Sequence, residues 1–376
     1  MPDQARDIAG WKDRLRAGGP SNGRRRVVAA MSGGVDSSLA AALLVEAGHE
    51  VVGVSMRLCP AQPGMRRSGT CCSAHDLRDA AAVARRLGIP HHVLDLTSRF
   101  EATVLANFVA EYAGGRTPLP CAHCNADLKF AALVDATDRL GASWIATGHY
   151  ARVTRDGAGG VHLWRGADAR KDQAYFLFAL TARQLSRAMF PIGGMTKGEV
   201  RREAQARGFE VADKPDSQEI CFVPDGDYAD VLDRYLPGDR SGFLADASGR
   251  ILGRHHGVHR FTVGQRKGLG LATGEPLYVL RIDAERKLVT VGPREALERD
   301  WLTASRVNWV AGVEPSFPFR ADVQIRSRHA AAPADIALAG PGRVRVDFLS
   351  SQAAVTPGQA AVIYRGDEVL GGGWID

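Results

Sequence analysis

The stretch AAMSGGVDSSLAAALL, residues 29–44, leads from an apolar segment through a Ser-Gly-Gly turn into a helix-like run of alanine and leucine. The segment in front of it, RVVAAM (26–31), is a continuous apolar run, which is typical of a strand covered on both faces. Glycines let a backbone approach a ligand closely, and the amides that open a helix attract phosphate. No Gly-Lys-Ser/Thr triplet follows, so the loop is not a Walker A motif. We therefore predict a strand, a phosphate-binding loop and a helix, with an ordinary tight turn as the alternative.

Strands and helices alternate through the first 150 residues. The predicted order is strand 26–31, helix 37–47, strand 50–56, helix 73–88, strand 91–96, helix 99–112, helix 125–140 and strand 143–148. Repeated strand–helix units form a parallel sheet with helices on both faces, and such sheets bind ligands at the carboxyl ends of their strands. Past about residue 222, short strands separated by Gly, Pro and Asp turns dominate, which predicts β-rich units.

The predicted fold class is α/β. We expect an N-terminal doubly wound parallel sheet of the Rossmann-like kind, then a small β-rich domain and a C-terminal β-barrel. The predicted divisions are a polar extension over 1–23, a nucleotide-binding catalytic domain over 24–222, a small central β-rich domain over 223–285 and the barrel over 286–376.

The 376-residue chain has 45% hydrophobic and 24% charged residues, an ordinary globular composition. No apolar run approaches the roughly 20 residues that a membrane helix needs, and the N-terminus lacks the apolar core of a secretory signal. Six cysteines are too few for a disulfide scaffold and suit a reducing compartment, so we expect a soluble cytoplasmic protein. The net charge of +6 permits a polyanionic partner without requiring one.

The loop at 32–37 resembles the SGGxDS signature of the ATP pyrophosphatases, the PP-loop enzymes. This resemblance implies cleavage of ATP between the α- and β-phosphates, with the AMP moiety activating a carbonyl oxygen. Mg²⁺ would offset the phosphate charge, and Asp36 is placed to assist it. PP-loop enzymes include amide-forming synthetases and tRNA-thiolating enzymes, so the loop alone does not identify the acceptor.

Five further motifs follow in order. They are GRTPLPCAHCNADLKF (115–130), ATGHYAR (146–152), KDQAYFL (171–177), DSQEICFV (216–223) and FTVGQRKGLG (261–270). Together they resemble the tRNA-specific 2-thiouridylase family of the MnmA type, from about Arg26 to the C-terminus. That family replaces O2 of the wobble uridine by sulfur. The resemblance implies ATP and Mg²⁺ as cofactors, tRNA as partner, and a persulfide sulfur donor, either a cysteine desulfurase or a sulfur-relay protein.

The resemblance also assigns site residues. The family's nucleophile falls on Cys124 and its persulfide carrier on Cys221. The implied ATP contacts are Ala30, Met31, Ser32, Gly33, Gly34, Val35, Asp36, Ser37, Met56 and Gly148. The implied tRNA contacts are Leu119, Pro120, Cys121, Lys171, Asp172, Gln173, Arg326 and Ser327.

Two positions depart from the family pattern in the segment that lines the target base. Leu119 stands where the family often has Asn, and Cys121 stands where some members have an Asp with a suggested acid/base role. A leucine side chain cannot hydrogen-bond a base, so backbone groups of Leu119, Pro120 and Cys121 would have to serve. His149 is a candidate base or a residue that only shapes the pocket.

Thiols suit the implied chemistry. A urea-like carbonyl oxygen is a poor leaving group, but transfer to AMP makes it a good one that a sulfur nucleophile can displace. Cys124 stands just ahead of the predicted helix 125–140, where a helix dipole favours a thiolate. We expect it to release sulfur from a persulfide on Cys221, with a Cys124–Cys221 disulfide as the by-product. The alternative is that Cys221 is a small buried hydrophobic residue.

Other interpretations stay open. One is an iron–sulfur cluster held by Cys121, Cys124 and Cys221, with one iron left open to bind sulfide. A second is another PP-loop ligase, such as an amide-forming synthetase, which would not need the cysteines. A third is a non-catalytic tRNA- or metal-binding protein that uses Cys71 and Cys72 with the later pair. Adjacent cysteines are a poor spacing for tetrahedral zinc.

Overall fold

The computed structural model describes residues 25–59, 74–216, 220–223, 228–272 and 274–376. The predicted N-terminal extension lies outside these ranges, as do Cys71, Cys72 and the predicted helix start at Ser73. Within the described ranges, no helix combines the length and the apolar character that crossing a bilayer requires.

The first part of the chain alternates strands and helices as predicted. Its strands are β1 (Arg26–Ala30), β2 (Glu50–Arg57), β3 (His91–Asp95), β4 (Trp144–Ala146), β5 (Ala151–Arg155), β6 (Val161–Arg165) and β7 (Ala188–Met189). Its helices are α1 (Val35–Glu46), α2 (Ala74–Leu87), α3 (Thr97–Phe100, π-helical Glu101–Leu105, Ala106–Ala113), α4 (Pro120–His123, π-helical Cys124–Lys129, Phe130–Arg139), α5 (Ala182–Ser186) and α6 (Lys197–Ala206).

Five strands form one sheet in the order β3-β2-β1-β4-β7. All four neighbouring pairs are parallel. The chain runs outward from β1 through β2 to β3 and then returns to the other side of β1 at β4. The strand order therefore reverses beside β1, where doubly wound sheets bind their ligands. This confirms the predicted N-terminal sheet.

Helix α1 is buried along most of its length because its sequence is apolar on nearly all sides. Leu39, Leu43 and Leu44 are at most 1% exposed. The helix ends where Gly48 takes a φ of +86°, a conformation that suits glycine after a helix. Helix α6 packs against α1 and begins with a capping box, in which Thr196 and Glu199 bond each other's backbone N–H groups.

A small second sheet follows helix α7 (Tyr228–Tyr235). It contains β8 (Gly242–Ala245), β9 (Ile251–His255), β10 (Tyr278–Asp283) and β11 (Leu288–Gly292), in the order β10-β11-β8-β9. The predicted division between residues 285 and 286 would cut the β10–β11 hairpin. Because β11 is hydrogen-bonded to both β10 and β8, the central unit extends to Gly292.

The C-terminal strands close into a barrel. They are β12 (Glu298–Trp309), β13 (Phe319–Gln324), β14 (Ala332–Gly340), β15 (Arg343–Ala353), β16 (Ala360–Arg365) and β17 (Glu368–Ile375). Their order is β12-β15-β14-β13-β16-β17, and β12 also pairs with β17, which leaves no open edge between them. The β5–β6 hairpin adds to β17 through β6, although residues 151–165 were predicted to belong to the nucleotide-binding domain. A stretch of the N-terminal domain is thus part of the barrel's sheet.

One apolar cluster joins the N-terminal domain to the barrel. Phe130 of α4 and Ile145 of β4 share it with Val362 of β16 and Trp374 of β17. Each of these side chains is less than a tenth exposed. The two domains therefore share a packed core, which holds residues on either side of the junction in a fixed relation.

Candidate active site

The loop at 32–37 connects β1 to α1 and is held by its own serines. The backbone N–H of Ser32 donates to the Ser37 hydroxyl oxygen (3.1 Å). The hydroxyls of Ser37 and Ser38 donate to the carbonyl oxygen of Gly34, at 3.1 and 2.9 Å. Gly34 is the extended N-cap residue of α1. Because these bonds lie within one turn of chain, the loop's shape is set locally, and the first amides of α1 have no partner within the helix.

A cavity of about 350 Å³ opens at the carboxyl ends of β1, β2 and β4. Among the ten predicted ATP contacts, all except Gly33 line it. They are Ala30, Met31, Ser32, Gly34, Val35, Asp36, Ser37, Met56 and Gly148. Lys129, Phe130 and Leu133 of α4 also line the cavity. The fold brings the predicted residues together at one edge of the sheet, and their contact with ATP stays a prediction.

Two glycines let separate chain segments pack against the loop. A Cβ on Gly148 would lie 2.6 Å from the backbone N of Ser37 and 2.7 Å from the carbonyl carbon of Asp36. A Cβ on Gly33 would lie 2.1 Å from the carbonyl oxygen of Asp76, and Gly33 has a φ of +77°. Such distances are too short for any side chain, so a larger residue at either position would push the loop away from its neighbours.

Asp36 and Asp216 belong to one network of ion pairs beside the cavity. Asp36 accepts hydrogen bonds from the Tyr150 hydroxyl (2.7 Å) and, on both carboxylate oxygens, from Lys197 Nζ (2.8 and 2.9 Å). Lys197 Nζ also lies 2.7 Å from Asp216 Oδ1, and Lys171 Nζ lies 2.6 Å from Asp216 Oδ2. Burial acts to raise the pKa of Asp216, but the bonds from Lys171 and Lys197 outweigh burial and lower that pKa below its ordinary value.

Sequence reasoning missed Tyr150 and Lys197. Tyr150 lies inside the motif ATGHYAR, yet nothing in that motif says which group its hydroxyl meets. Lys197 lies 161 positions after Asp36. The pattern Thr196 to Glu199 is a recognisable capping box that places Lys197 in the first turn of a helix. It does not say where that turn docks.

Lys214 contacts the loop directly. Its Nζ donates to the carbonyl oxygen of Gly33 (3.0 Å) and to the carboxylates of Asp76 (2.5 Å) and Asp79 (2.6 Å). Together with His75, these two carboxylates form the one group of three close potential metal ligands found among the described residues. The ammonium group of Lys214 already neutralises them in part, so this group is better explained as an ion-pair cluster that anchors the loop.

His149 lies in the cavity wall, with Nδ1 2.7 Å from Thr147 Oγ1. Burial lowers the pKa of His149 to about 3, and the charge of Lys129 acts in the same direction. An imidazole with so low a pKa is neutral and a weak base at neutral pH. Of the two predicted roles, general base and shaping of the pocket, the lowered pKa and the contact with Thr147 favour the second.

The Cys-x-x-Cys pair lies inside α4. The helix was predicted to begin at residue 125, but it begins at Pro120, which suits the first helical position because its missing N–H would have no partner there. Cys121 is exposed, whereas Cys124 is buried. Cys124 is the fifth residue of the helix, and the influence of a helix N-terminus falls off after the first turn. The predicted activation of Cys124 by the helix dipole is therefore weakened.

Cys124 and the neighbour of Cys221, Phe222, meet at one apolar cluster, although the two cysteines lie 97 positions apart. Cys124 packs in this cluster with Leu58 and Phe100. Phe222, the residue after Cys221, packs against the cluster and meets the Phe100 ring edge-on at 5.4 Å. The fold thus brings the two segments to one region, as persulfide chemistry requires. A disulfide between the two cysteines stays a prediction.

Two of the three predicted tRNA segments lie at or near the cavity. The segment 119–121 leads into helix α4, which forms part of the cavity wall, and the segment 171–173 contributes to the wall directly. Leu119 and Pro120 are buried, so Cys121 is the exposed member of the first segment. In the second segment, Lys171 and Gln173 line the cavity.

The side chain of Asp172, between Lys171 and Gln173, is only 9% exposed. Its carboxylate accepts from the backbone N–H groups of Gly166 and Ala174 and from Arg165. This carboxylate is thus occupied inside the protein.

The third predicted segment lies on the barrel, in the turn that follows β13. Ser327 is exposed and Arg326 is half-buried. The Arg326 guanidinium donates to the carbonyl oxygen of Ala353 through Nη2 (3.1 Å). This segment does not line the cavity, so the predicted tRNA contacts form two separate areas.

Three family models match successive parts of the chain. A tRNA methyl transferase HUP domain matches residues 25–225, a tRNA methyl transferase PRC-barrel domain matches 229–293, and an aminomethyltransferase beta-barrel domain matches 299–375. These limits agree with the parallel sheet, the central sheet extended to Gly292, and the closed barrel.

Curated relatives match along nearly the whole length. The tRNA-specific 2-thiouridylase MnmA of Geotalea uraniireducens is 50% identical over 366 residues, which cover 95% of this chain and 96% of the relative. The protein of the same name from Solibacter usitatus is 51% identical over 370 residues, covering 93% of this chain and 99% of the relative. The chain therefore belongs to the tRNA-specific 2-thiouridylase MnmA family.

Proposed function

We propose that this protein catalyses the ATP-dependent 2-thiolation of the wobble uridine of tRNA. The observation that carries the proposal is that α4 supplies both a thiol and part of the cavity wall. Cys124 and Lys129 are the two ends of its π-helical segment, and Lys129 lines the cavity. Five residues of α-helix rise by about 7.5 Å, and a π-helical segment rises by less, so one element holds the thiol near the cavity wall. The names of the relatives support the same reaction here.

In the first step, ATP binds with its phosphates at the loop and the uridine O2 attacks the α-phosphorus. The bond from that phosphorus to the bridging oxygen breaks, pyrophosphate stays at the loop amides, and the uridine carries AMP on O2. Lys129, Lys171 and Lys214 line the cavity, where carboxylate partners offset part of the charge of Lys171 and Lys214. Charge that is fixed in place before the reaction stabilises the transition state without reorganisation.

In the second step, the outer sulfur of a persulfide on Cys221 attacks C2 of the uridine, and AMP leaves with the former O2. The Cys124 thiolate attacks Sγ of Cys221 and breaks the bond between the two sulfurs. The products are 2-thiouridine, AMP and a Cys124–Cys221 disulfide, which a thiol reductant returns to two thiols. A persulfide donor protein then reloads Cys221.

Mg²⁺ would offset the charge of the triphosphate and of the released pyrophosphate. It prefers oxygen ligands, and the cavity is lined by three carboxylates, those of Asp36, Asp76 and Asp216. All three carboxylates are bonded to lysines, but the Asp36 side chain keeps 31% exposure, against 21% for Asp216 and 6% for Asp76. We therefore assign Asp36 as the protein ligand of Mg²⁺, with Lys197 orienting its carboxylate.

The tRNA would be held by segments 119–121, 171–173 and 326–327, with the target uridine turned out of its loop into the cavity. Unstacked loop bases are the parts of RNA that proteins read by direct contact. Because the Leu119 side chain is buried, backbone groups of this segment would meet the base. We place the reaction in the cytoplasm, where tRNA and reduced thiols occur together.

The test is to incubate the purified protein with ATP, Mg²⁺, a persulfide donor and tRNA, and to measure 2-thiouridine and pyrophosphate. We expect both products in equal amounts, and neither when an isolated uridine nucleotide replaces tRNA. Affinity for tRNA should fall steeply with salt, because phosphate contacts release counterions. Pyrophosphate release without tRNA would favour an amide-forming ligase. Binding of tRNA without any pyrophosphate would favour a non-catalytic protein.

Two loop variants test the nucleotide site. Ser32→Ala and Asp36→Ala should abolish tRNA-dependent pyrophosphate release and leave the melting temperature within about 4 °C of the wild type. Full turnover by folded Asp36→Ala protein would remove the assignment of the loop.

An iron–sulfur variant of the reaction is the rival within the same function. It would use Cys121, Cys124 and Cys221 as cluster ligands, and three cysteines are a chemically suitable set. Anaerobic purification with iron and sulfide quantitation separates the two. A stoichiometric cluster that is lost with activity in all three cysteine variants would replace the persulfide mechanism.

A further inference from the structure

Arg165, the last residue of β6, lies between the two areas of predicted tRNA contact. Its Nη1 donates to Asp172 Oδ2 (2.9 Å) and its Nη2 donates to Gln324 Oε1 (2.9 Å). The guanidinium stacks on the ring of Tyr364, 3.7 Å from the ring centroid. The planar guanidinium is held in one orientation because it bonds two acceptors and stacks on a ring. A flexible lysine side chain would not reproduce this arrangement.

One partner of Arg165 shapes the segment 171–173 from inside. Asp172 Oδ1 accepts from the backbone N–H groups of Gly166 (2.9 Å) and Ala174 (3.1 Å), while Oδ2 accepts from Arg165. This side chain therefore connects the backbone on either side of the turn, at Gly166 and at Ala174, to the Arg165 guanidinium. The carboxylate thus helps to hold the turn that presents Lys171 and Gln173 to the cavity, together with the bond from the Tyr150 N–H to Gln173 Oε1 (2.9 Å).

The other partner shapes the barrel segment 326–327. Gln324 is 4% exposed, and its Nε2 donates to the carbonyl oxygens of Arg326 (3.0 Å) and Ser327 (3.1 Å). Its Oε1 accepts from Arg165. Both ends of the amide are in use, so rotating the amide by half a turn would set its NH₂ group against the donors of Arg165.

We propose that Arg165 and Gln324 are positioning residues that set the spacing between the segments 171–173 and 326–327 across the junction of the N-terminal domain and the barrel. The proposal rests on the proposed function, since it assumes that both segments bind tRNA. Neither residue has to touch the RNA. A fixed spacing lets one rigid tRNA engage both segments without a further cost of ordering them.

The structure provides a matched control in Arg155, which ends β5, the strand paired with β6. Its guanidinium also stacks on an aromatic ring, 4.4 Å from the centroid of Trp144, and donates to the carbonyl oxygens of Ser186 and Ala188 (both 2.9 Å). All these partners lie in the N-terminal domain. Arg155→Met removes a stacked, hydrogen-bonded arginine from the same hairpin and leaves the bonds of Arg165 to Asp172 and Gln324 in place.

The experiment measures tRNA affinity, ATP affinity and melting temperature for the full chain at one salt concentration. Arg165→Met and Gln324→Leu should each weaken tRNA binding about tenfold and leave ATP affinity within about twofold. The double variant should bind tRNA at most about threefold more weakly than the single variant with the lower tRNA affinity. Both changes break the same connection between the two segments, so their effects should not add. Arg155→Met should lower the melting temperature and leave tRNA affinity within about twofold.

Arg165→Lys provides a measurement if Arg165→Met fails to fold. A lysine keeps the charge but reaches only one of the two acceptors, so tRNA affinity should fall between those of the wild type and Gln324→Leu. Wild-type tRNA affinity in the folded Arg165 variants would overturn the positioning role while leaving the proposed function intact. Fully independent effects of the two changes, or an equal loss in Arg155→Met, would also overturn it. A wild-type protein that binds no tRNA would overturn the proposed function and this role together.

Discussion

The nucleotide loop and the cysteine segments are held in place in different ways. Ser32, Gly34 and Ser37 bond one another within a few residues. The outside contacts described for this loop, from Gly148, Asp76 and Lys214, come from the N-terminal domain. The first turn of α4 instead depends on the barrel. The His123 ring, between the two cysteines, stacks on Trp374 with centroids 4.0 Å apart and planes 7° apart.

The segment that leads into α4 is also bonded to the barrel. Gln359 Nε2 donates to the carbonyl oxygens of Thr117 (3.0 Å) and Pro118 (3.1 Å). The backbone N–H of Thr117 donates to the carbonyl oxygen of Pro357 (2.9 Å). The loop is thus held by its own bonds and by contacts within the N-terminal domain, whereas the start of α4 is held by the barrel. Damage to the barrel should therefore impair sulfur transfer before it impairs ATP binding.

The largest effect is expected from changing the two catalytic cysteines, which should stop sulfur transfer and leave the activation of the uridine by ATP. Cys124→Ser and Cys221→Ser should form no measurable 2-thiouridine, because a hydroxyl neither carries a persulfide nor attacks one. Both should retain tRNA-dependent pyrophosphate release, since neither side chain lines the cavity. Nucleoside analysis by mass spectrometry, together with a pyrophosphate assay, measures both steps.

Cys121→Ser is the matched control and should keep substantial thiolation. Loss of thiolation in this variant together with the other two would contradict the two-cysteine mechanism and point to a cluster.

The next effect breaks the loop itself. Gly148→Ala places a methyl group 2.6 Å from the backbone N of Ser37, so the loop must move. We expect ATP affinity to fall at least about 100-fold, a loss near 2.7 kcal/mol. Calorimetric titration with ATP measures it. Gly194→Ala is the control, because a Cβ there meets no atom within 4 Å. Equal ATP affinity in the two variants would mean that the close approach of Gly148 does not matter.

A third effect breaks the connection of α4 to the barrel. Trp374→Leu removes the stack on His123 and the edge contact with Phe178 (5.5 Å). We expect stability to fall by about 2 kcal/mol or more, as for other large-to-small core changes. Thiolation should fall about tenfold and ATP affinity clearly less, because α4 is only one wall of the cavity and the loop at 32–37 is held within the N-terminal domain.

Denaturant unfolding, single-turnover thiolation and ATP titration measure these three quantities. Trp374→Phe keeps an aromatic face and should restore much of the thiolation. If Trp374→Leu lost as much ATP affinity as thiolation activity, the nucleotide loop would depend on the barrel as much as the thiol site does, which contradicts the comparison above.

The smallest effect concerns the hairpin that joins the two domains. His162 Nδ1 lies 2.6 Å from Glu368 Oε1, and this bond raises the pKa of His162 above 6.5, with Asp156 adding to the shift. A raised pKa means that the stabilisation is fully present below pH 6.5 and is lost as the pH rises through the folded-state value. The side chain is 33% exposed, so we expect no more than about 0.5 kcal/mol.

His162→Gln should remove that part of the pH dependence of the unfolding free energy between mildly acidic and alkaline buffers. An unchanged pH profile would show that this pair does not stabilise the hairpin.

The two regions also differ in how far the sequence alone predicts them. The loop was predictable because its signals are local: an apolar strand, glycines at the turn, serines at the helix start. The ion pair between Asp36 and Lys197 was not predictable. Lys197 lies in a helix 161 positions away, and the sequence does not say where that helix packs. Residues 151–165 were predicted to belong to the nucleotide-binding domain, and only the pairing of β6 with β17, Trp164 with Glu368 and Leu163 with Val369, shows that they join the barrel.

The tRNA segments show the same limit at the level of single side chains. Asp172 lies between two residues that line the cavity, and its charge suggests an exposed position. Its carboxylate is buried because Arg165, Gly166 and Ala174 supply three donors to it. Pattern and spacing predicted the position of the turn, whereas the direction of each side chain depends on partners from other elements.

The central claim is that ATP activates the uridine oxygen itself. The most direct measurement is to label O2 of the target uridine with oxygen-18, run one turnover with ATP and a persulfide donor, and analyse the AMP by mass spectrometry. We expect oxygen-18 in the phosphate of AMP in an amount equal to the 2-thiouridine formed, because the oxygen that leaves the base departs with AMP. Formation of 2-thiouridine with unlabelled AMP would contradict it.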